Sequence, residues 1–166
     1  MDPLLDEKII LTIMRKFSDF MKETLHLSAD REAYGPSRNE GLCYESCQSL
    51  SFTGEIEGQL FLGMDGYTKL KLLPRVAERY NLTNFSSGMA SSILLEFINQ
   101  LAGKILTELE EGGFHLQMAV PENHDHKIVT FDLSRFREYI MIFFLRDRRQ
   151  RMYLGRAYLT ILFRKY

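Results

Sequence analysis

Ser92-Ile-Leu-Leu-Glu96-Phe-Ile-Asn99-Gln-Leu-Ala-Gly103 is the stretch on which the reading of this 166-residue chain turns. At about 100° per residue, Ser92, Glu96, Asn99 and Gly103 fall within a wedge of roughly 60°. Leu94, Leu95, Phe97, Ile98, Leu101, Ala102, Ile105, Leu106 and Leu109 spread over the opposite half-circle, an apolar stripe wide enough to bury against a sheet. The segment is the longest amphipathic helix of the chain, and its polar wedge faces outward. A carboxylate and a carboxamide one turn apart, flanked by a hydroxyl and a glycine, make a shallow pad that can touch what another molecule presents.

The helix has recognisable ends. Asn81 to Ser87 reads as a turn, Ser86 or Ser87 can cap the helix, and Gly112-Gly113 stops it. Beyond lies strand material. Phe114, Leu116, Met118 and Val120 alternate with His115, Gln117 and Ala119 up to Pro121, and Lys127 to Phe131 is a short strand. Glu138 to Arg146 is apolar on both sides, which predicts a central strand covered on each face. Arg151 to Arg164 alternates again, with Ala157, Leu159, Ile161 and Phe163 on one side.

Upstream, Asp2 suits an N-cap and Pro3 a first helical position. Ile10, Met14, Phe17 and Met21 then recur at helical spacing, with Ile13, Phe20 and Leu25 beside them; such a stripe is core material before it is a partner-binding face. Ser28 to Gly41 is polar and carries the breaker cluster Gly35-Pro36-Ser37-Arg38-Asn39, which predicts a loop. Tyr44 to Phe52 and Gln59 to Gly63 read as strands. Met64 to Tyr80 reads as a shorter helix that Pro74 ends, kinks or restarts. Together these elements predict an α+β architecture, an antiparallel β-sheet packed by long amphipathic helices, in one domain spanning 1–166 without internal repeats.

Composition narrows the function. With 21 basic and 22 acidic side chains and a formal net charge of −1, nothing marks the chain for nucleic acid or an anionic membrane. The Met1-Asp2-Pro3 start lacks a signal peptide's build and no apolar run is long enough to span a bilayer, so a cytoplasmic protein is expected. Cys43 and Cys47, the only cysteines, are predicted on one face of one strand as reduced, partly buried thiols; zinc would need further ligands.

Ser92-x3-Glu96-x2-Asn99, followed by Pro121, resembles the Asp/Ser-x3-Glu-x2-Asn…Pro signature of the CheC, CheX and FliY response-regulator phosphatases of bacterial chemotaxis. Gly103 stands where CheX-type sequences tend to carry glycine, and Phe52-x-Gly54-x3-Gly58-x-Leu60-x-Leu62 is similar to their first hairpin. The first helix holds no Glu-x2-Asn, which resembles CheX-type members more than CheC-type ones, where a second copy is usual. One residue fewer separates Asn99 from Pro121 than is usual in the family.

The resemblance implies a CheX-type phosphatase that hydrolyses the aspartyl-phosphate of a CheY-like receiver protein. Asn99 would enter the receiver's active site and orient the attacking water, and Glu96 would pair with the receiver's lysine. Ser92 and Gly103 would belong to the partner-binding surface. The chain would need no metal or cofactor of its own, because Mg2+ would sit in the receiver, and a homodimer joined through the sheets is expected. The alternative on the same fold is a non-catalytic receiver-binding or adaptor module; a remoter one is a small-ligand sensor, which would require a buried apolar pocket.

Other chemical candidates read as structural. His124-Asp125-His126 lies between strands without a carboxylate or cysteine cluster at ligand spacing, so turn residues are expected. Arg146-Asp-Arg148-Arg149-Gln-Arg151 reads as a hydrated basic hairpin tip, able to steer an acidic partner. His115 reads as a structural histidine. No phosphate-binding glycine loop, Rossmann fingerprint or nucleophile signature is present.

Overall fold

Three amphipathic helices and nine strands arise from the two periodicities in the sequence, and the computed structural model describes them over residues 3–82 and 86–165. The Asp2 cap and part of the Asn81–Ser87 turn lie outside the described residues. Helix α1 (Pro3–Leu25) buries Ile9, Ile10, Ile13, Met14, Phe17, Phe20, Met21 and Leu25, the stripe expected of core material. Helix α2 (Gly66–Arg79) opens on Asp65, whose carboxylate accepts from the Thr68 amide at 2.7 Å. It runs through Pro74 without ending there, and its exposed Leu70 stands off the face made by Leu72, Leu73 and Val76. Helix α3 (Ser87–Glu111) carries the polar wedge and ends at Gly112, with Gly113 at φ +94°, a conformation open to glycine.

The strands are β1 (Ser28–Ser37), β2 (Gly41–Cys43), β3 (Ser46–Gly54), β4 (Gly58–Met64), β5 (Leu116–Met118), β6 (Glu122–Asn123), β7 (Ile128–Thr130), β8 (Phe136–Asp147) and β9 (Met152–Arg164). Seven of them form one sheet, ordered β1-β8-β9-β4-β3-β5 with β6 also on β3, and every pairing is antiparallel. Met141, Phe143 and Leu145 of β8, with Leu159, Ile161 and Phe163 of β9 and Leu60 and Leu62 of β4, share one core with the three helices. Strands β2 and β7 pair as a separate ribbon. Leu42 and Val129 of that ribbon pack with Cys47, Phe61 and Leu162 on the sheet's opposite side.

Several expectations need correction. Ser28 to Ser37 is not a loop but an edge strand paired along β8 with a register shift between Arg31 and Ala33. Its outer edge faces water, where polar side chains and Pro36 cost no ladder hydrogen bond. Cys43 and Cys47 do not share a strand: Cys43 lies exposed on β2 and Cys47 fully buried on β3, because the chain turns at Tyr44-Glu45 before β3 starts at Ser46. The Phe114–Val120 run forms a strand only over β5, and Val120 is 83% exposed. Strand β8 is interior to the sheet, but its cover is uneven: Met141, Phe143 and Leu145 are buried under the helices, whereas Ile140, Ile142 and Phe144 on the other side, beyond the buried Glu138, remain half-buried.

Candidate functional site

Helix α3 is held by its apolar side. Ile93, Leu94, Phe97, Ile98, Leu101, Ala102, Ile105 and Leu109 are each at most 5% exposed, packed on α1, α2 and the sheet. Ser92, Glu96, Asn99 and Gly103 are all exposed, so the four residues that the sequence placed on one wedge do stand together facing solvent. Each fully buried leucine or phenylalanine under them contributes roughly 1.5–3 kcal/mol, so the wedge is carried on an anchored helix.

The four positions differ in how they are restrained. Glu96 Oε1 accepts from Gln100 Nε2 at 3.1 Å, one turn along the same face. The phenol of Tyr80, just past α2, lies in reach of its charge: burial first, and then the Glu96 carboxylate, push the Tyr80 hydroxyl up to about 12, with Arg79 opposing. Asn99 is exposed, and among the described residues its carboxamide makes no hydrogen bond to the protein. A Cβ placed on Gly103 would meet nothing within 4 Å. No internal contact therefore demands glycine there, and its bareness leaves a dent in the outer face.

Pro121 is half-buried in the connection between β5 and β6, two strands that both touch α3. His124-Asp125-His126 is a turn in position, but Asp125 is inward-facing with its side chain 11% exposed, and His126 has φ +58°. His124 Nε2 lies 2.7 Å from Ser49 Oγ. His115 precedes β5, is exposed, and donates its amide to Glu55 Oε2 at 3.1 Å. Among the described residues no group of three His, Cys, Asp or Glu side chains is arranged to hold a metal ion.

The basic hairpin tip between β8 and β9 is more built than a hydrated turn. Asp147, 5% exposed, accepts from Arg75 Nη1 at 2.6 Å and from the amides of Arg149 and Gln150 at 2.9 and 3.0 Å. Those hydrogen bonds hold its carboxyl below the usual range. Arg146 and Arg148 lie 3.5 and 3.7 Å from Asp30 of β1. The half-buried Asp125, its partner Lys69 and the Tyr80 phenol are the residues near α3 that sequence reasoning missed. Only the alternation of polar residues around Asp125 could have hinted at an inward aspartate, and turn chemistry explained that pattern equally well.

No curated protein matches the chain by sequence. In fold it is similar to a chemotaxis protein CheX of Desulfovibrio desulfuricans, with TM-score 0.76 at 11% identity over 94% of this chain and 99% of that one. A CheC-like superfamily protein of Shewanella sp. PV-4 gives TM-score 0.74 at 16% identity, over 98% and 99%. A CheX–CheY–BeF3–Mg2+ complex from Borrelia burgdorferi gives 0.62 at 15%, over 95% and 98%. The family model of the chemotaxis phosphatase CheX matches residues 47–145, which take in α2, α3 and most of the sheet. The chain belongs to the CheX family of chemotaxis phosphatases.

Proposed function

We propose that this protein hydrolyses the aspartyl-phosphate of a CheY-like receiver, with α3 as the element that enters the receiver's active site. The observation that carries the reading is the joint exposure of Glu96 and Asn99 on the solvent face of a helix whose apolar side is buried. The Borrelia complex, in which a CheX is bound to a CheY with BeF3 and Mg2+, supports the choice of partner.

Phosphoryl transfer asks little covalent chemistry of the protein; holding a water in line with phosphorus supplies most of the gain. Asn99, uncommitted on its own surface, orients that water through its carboxamide. Proper orientation of this kind is worth up to ~7–11 kcal/mol in the best cases. Glu96, one turn earlier, pairs with the receiver's lysine and sets the approach. Ser92 and Gly103 line the contact, the latter leaving room for the partner's backbone. Mg2+ belongs to the receiver and offsets the phosphate charge there, which leaves this chain no metal to hold.

The chain works as one unit over 1–166, in the cytoplasm where receivers reside. Among the described residues no helix is long and apolar enough to cross a membrane. It pairs with a second copy through the sheets, a reading supported by the half-covered Ile140, Ile142 and Phe144 of β8. The one-residue shortening between Asn99 and Pro121 favours a second reading, a receiver-binding module that hydrolyses nothing. A small-ligand sensor has less support, since the apolar cavity between Ile13, Leu50, Phe52 and Ile105 holds only about 20 Å³.

The deciding experiment follows the decay of chemically phosphorylated CheY-type receivers with and without this protein. Faster decay is expected for at least one receiver. Unchanged decay across a panel of receivers that bind the protein would leave the binding-module reading in its place.

A further inference from the structure

We infer that Asp125 is a positioning residue for the α3 docking face, tying the first turns of that helix to α2 and to the sheet; the inference rests on the phosphatase reading of Glu96 and Asn99. Helix α3 begins poorly secured by its own sequence. Its N-cap residue Ser86 makes no side-chain capping bond, and its first turn carries no acidic residue. Helix starts left this way leave orphan amides and fray. Yet the half of α3 nearest that end carries Ser92, Glu96 and Asn99.

One carboxylate from outside the helix holds its second turn instead, through the hydroxyl of Ser91 rather than through the orphan amides. Asp125 Oδ1 accepts from the Cys47 amide at 2.8 Å and from Gln48 Nε2 at 2.9 Å, both on β3. Asp125 Oδ2 accepts from Lys69 Nζ of α2 at 3.0 Å and from Ser91 Oγ of α3 at 3.4 Å. Gln48, fully buried, also donates to Asn123 Oδ1 at 3.1 Å, so the loop is braced on the sheet before it reaches the helix. Three elements therefore converge on one side chain that is 11% exposed, paired with a lysine that is 19% exposed. In such surroundings charge-assisted hydrogen bonds are the stronger kind.

Ser91 immediately precedes Ser92, so its position sets where the docking face starts. In-line attack is sensitive to placement: a shift of about 1 Å can cost on the order of 10²-fold in rate. A residue that only stabilises the fold would lower the melting temperature and leave turnover by the folded protein alone. A positioning residue lowers turnover at saturating receiver while the protein stays folded.

The test uses the full chain as wild type, Asp125→Ala, Asp125→Asn and Ser91→Ala, the last two retaining most of the local packing should Asp125→Ala fail to fold. Decay of a phosphorylated CheY-type receiver gives kcat and KM, and amide hydrogen exchange reports on 87–96 against 104–111. For Asp125→Ala, or Asp125→Asn in its place, kcat is expected to fall at least about tenfold with KM little changed, and 87–96 to exchange about tenfold faster while 104–111 is unaltered. Ser91→Ala is expected to shift both readouts in the same direction by less. Folded Asp125 variants that exchange like wild type, or that exchange faster yet keep the wild-type kcat, would overturn the inference. Wild type that accelerates no receiver's decay sinks the phosphatase reading instead, and exchange over 87–96 then decides the clamp alone.

Discussion

Asp6 and Arg137, 131 positions apart in the chain, meet through two hydrogen bonds of 2.7 and 3.1 Å, and Asp6 is 1% exposed. Tyr139 adds a third donor at 3.1 Å. The first turn of α1 is thereby fastened to the start of β8, on the far side of the sheet order from β5. Removing the carboxylate strands the guanidinium and a phenol in a partly dry site. Asp6→Ala is expected to lower unfolding stability by about 3–5 kcal/mol, and adding Arg137→Met to recover part of it. Urea unfolding of the two variants measures both, and a loss under about 1 kcal/mol for Asp6→Ala would contradict the buried pairing.

Asn99 and Glu96 are assigned different tasks, so their truncations should separate in the kinetics. Loss of a group that acts only in the transition state lowers kcat, whereas loss of an anchoring charge acts mainly on affinity. Asn99→Ala is expected to reduce kcat by about 10²-fold or more with receiver affinity retained, in line with losing one preorganised polar group. Glu96→Ala is expected to weaken receiver binding about tenfold, or about 1.4 kcal/mol. Stopped-flow decay together with titration of the receiver distinguishes the two, and an Asn99→Ala protein as active as wild type would remove Asn99 from the chemistry.

Gly103 offers a test in which stability and binding move in opposite directions. A Cβ there meets nothing within 4 Å, and the residue sits mid-helix where glycine is costly. Gly103→Ala should therefore stabilise the folded chain by about 0.5–1 kcal/mol. If the dent admits the partner's backbone, Gly103→Trp keeps the fold but weakens receiver binding at least about tenfold. Thermal unfolding and binding titration read the pair; unchanged binding by Gly103→Trp would confine the glycine to the helix's own history.

The wedge on α3 was legible because helical periodicity alone decides which side chains share a face, and the buried stripe left only one orientation. Strand β9 was legible for the same reason at period two, and β8 from its unbroken apolar run, which did not disclose that one face is only half-covered. What escaped reading was everything set by long-range pairing. Ser28 to Ser37 looks like a loop because an edge strand needs apolar residues on neither its free edge nor its wet face. Cys43 and Cys47 look like one strand because nothing local announces that the chain leaves one sheet for another at Tyr44. Asp125 reads as a turn residue because its donors come from β3, α2 and α3, and no spacing in the sequence brings those together. The exposed face of α3 was thus visible, while the side chain on which three elements converge beside it was not.

Alkaline pH should unfold this protein earlier than acid-base composition suggests. Burial holds the Cys47 thiol up to about 12 from its ordinary 9.0, with the Asp125 charge adding to it. Burial likewise holds the Tyr44 phenol, stacked 5.2 Å from Tyr158, and the Tyr80 phenol up to about 12 from 10.0. Each group binds its proton more tightly folded than unfolded, so its contribution to stability is complete below the unfolded value and is lost as pH climbs toward the folded one. Stability is therefore expected to hold to about pH 9 and to fall from there to about pH 12. Denaturant midpoints measured through this window provide the check, and Cys47→Ala should flatten the first part of the decline. In the native protein at pH 8, exposed Cys43 should alkylate while Cys47 does not.

The outer face of β8 carries the last expectation. Ile140, Ile142 and Phe144 alternate with Met141, Phe143 and Leu145, and only the second set lies under the helices. The ribbon of β2 and β7 covers the opposite side of the sheet around Phe61 and Leu162, so it shields the β4–β9 region and leaves this part of β8 half-covered. Three large apolar side chains in an interior strand are poor surface residues, and a second copy meeting them through its own sheet would bury them symmetrically. Light scattering should give twice the mass of one chain. Ile142→Lys places a charge in that seam and should yield a folded monomer, since the residue is only half-buried within one chain. The α3 wedge belongs to the helical layer on the other face, so the monomer should still accelerate receiver dephosphorylation within about twofold of wild type. A wild-type protein that scatters as a single chain at working concentration would dissolve the sheet-to-sheet dimer and leave those isoleucines without an explanation in assembly.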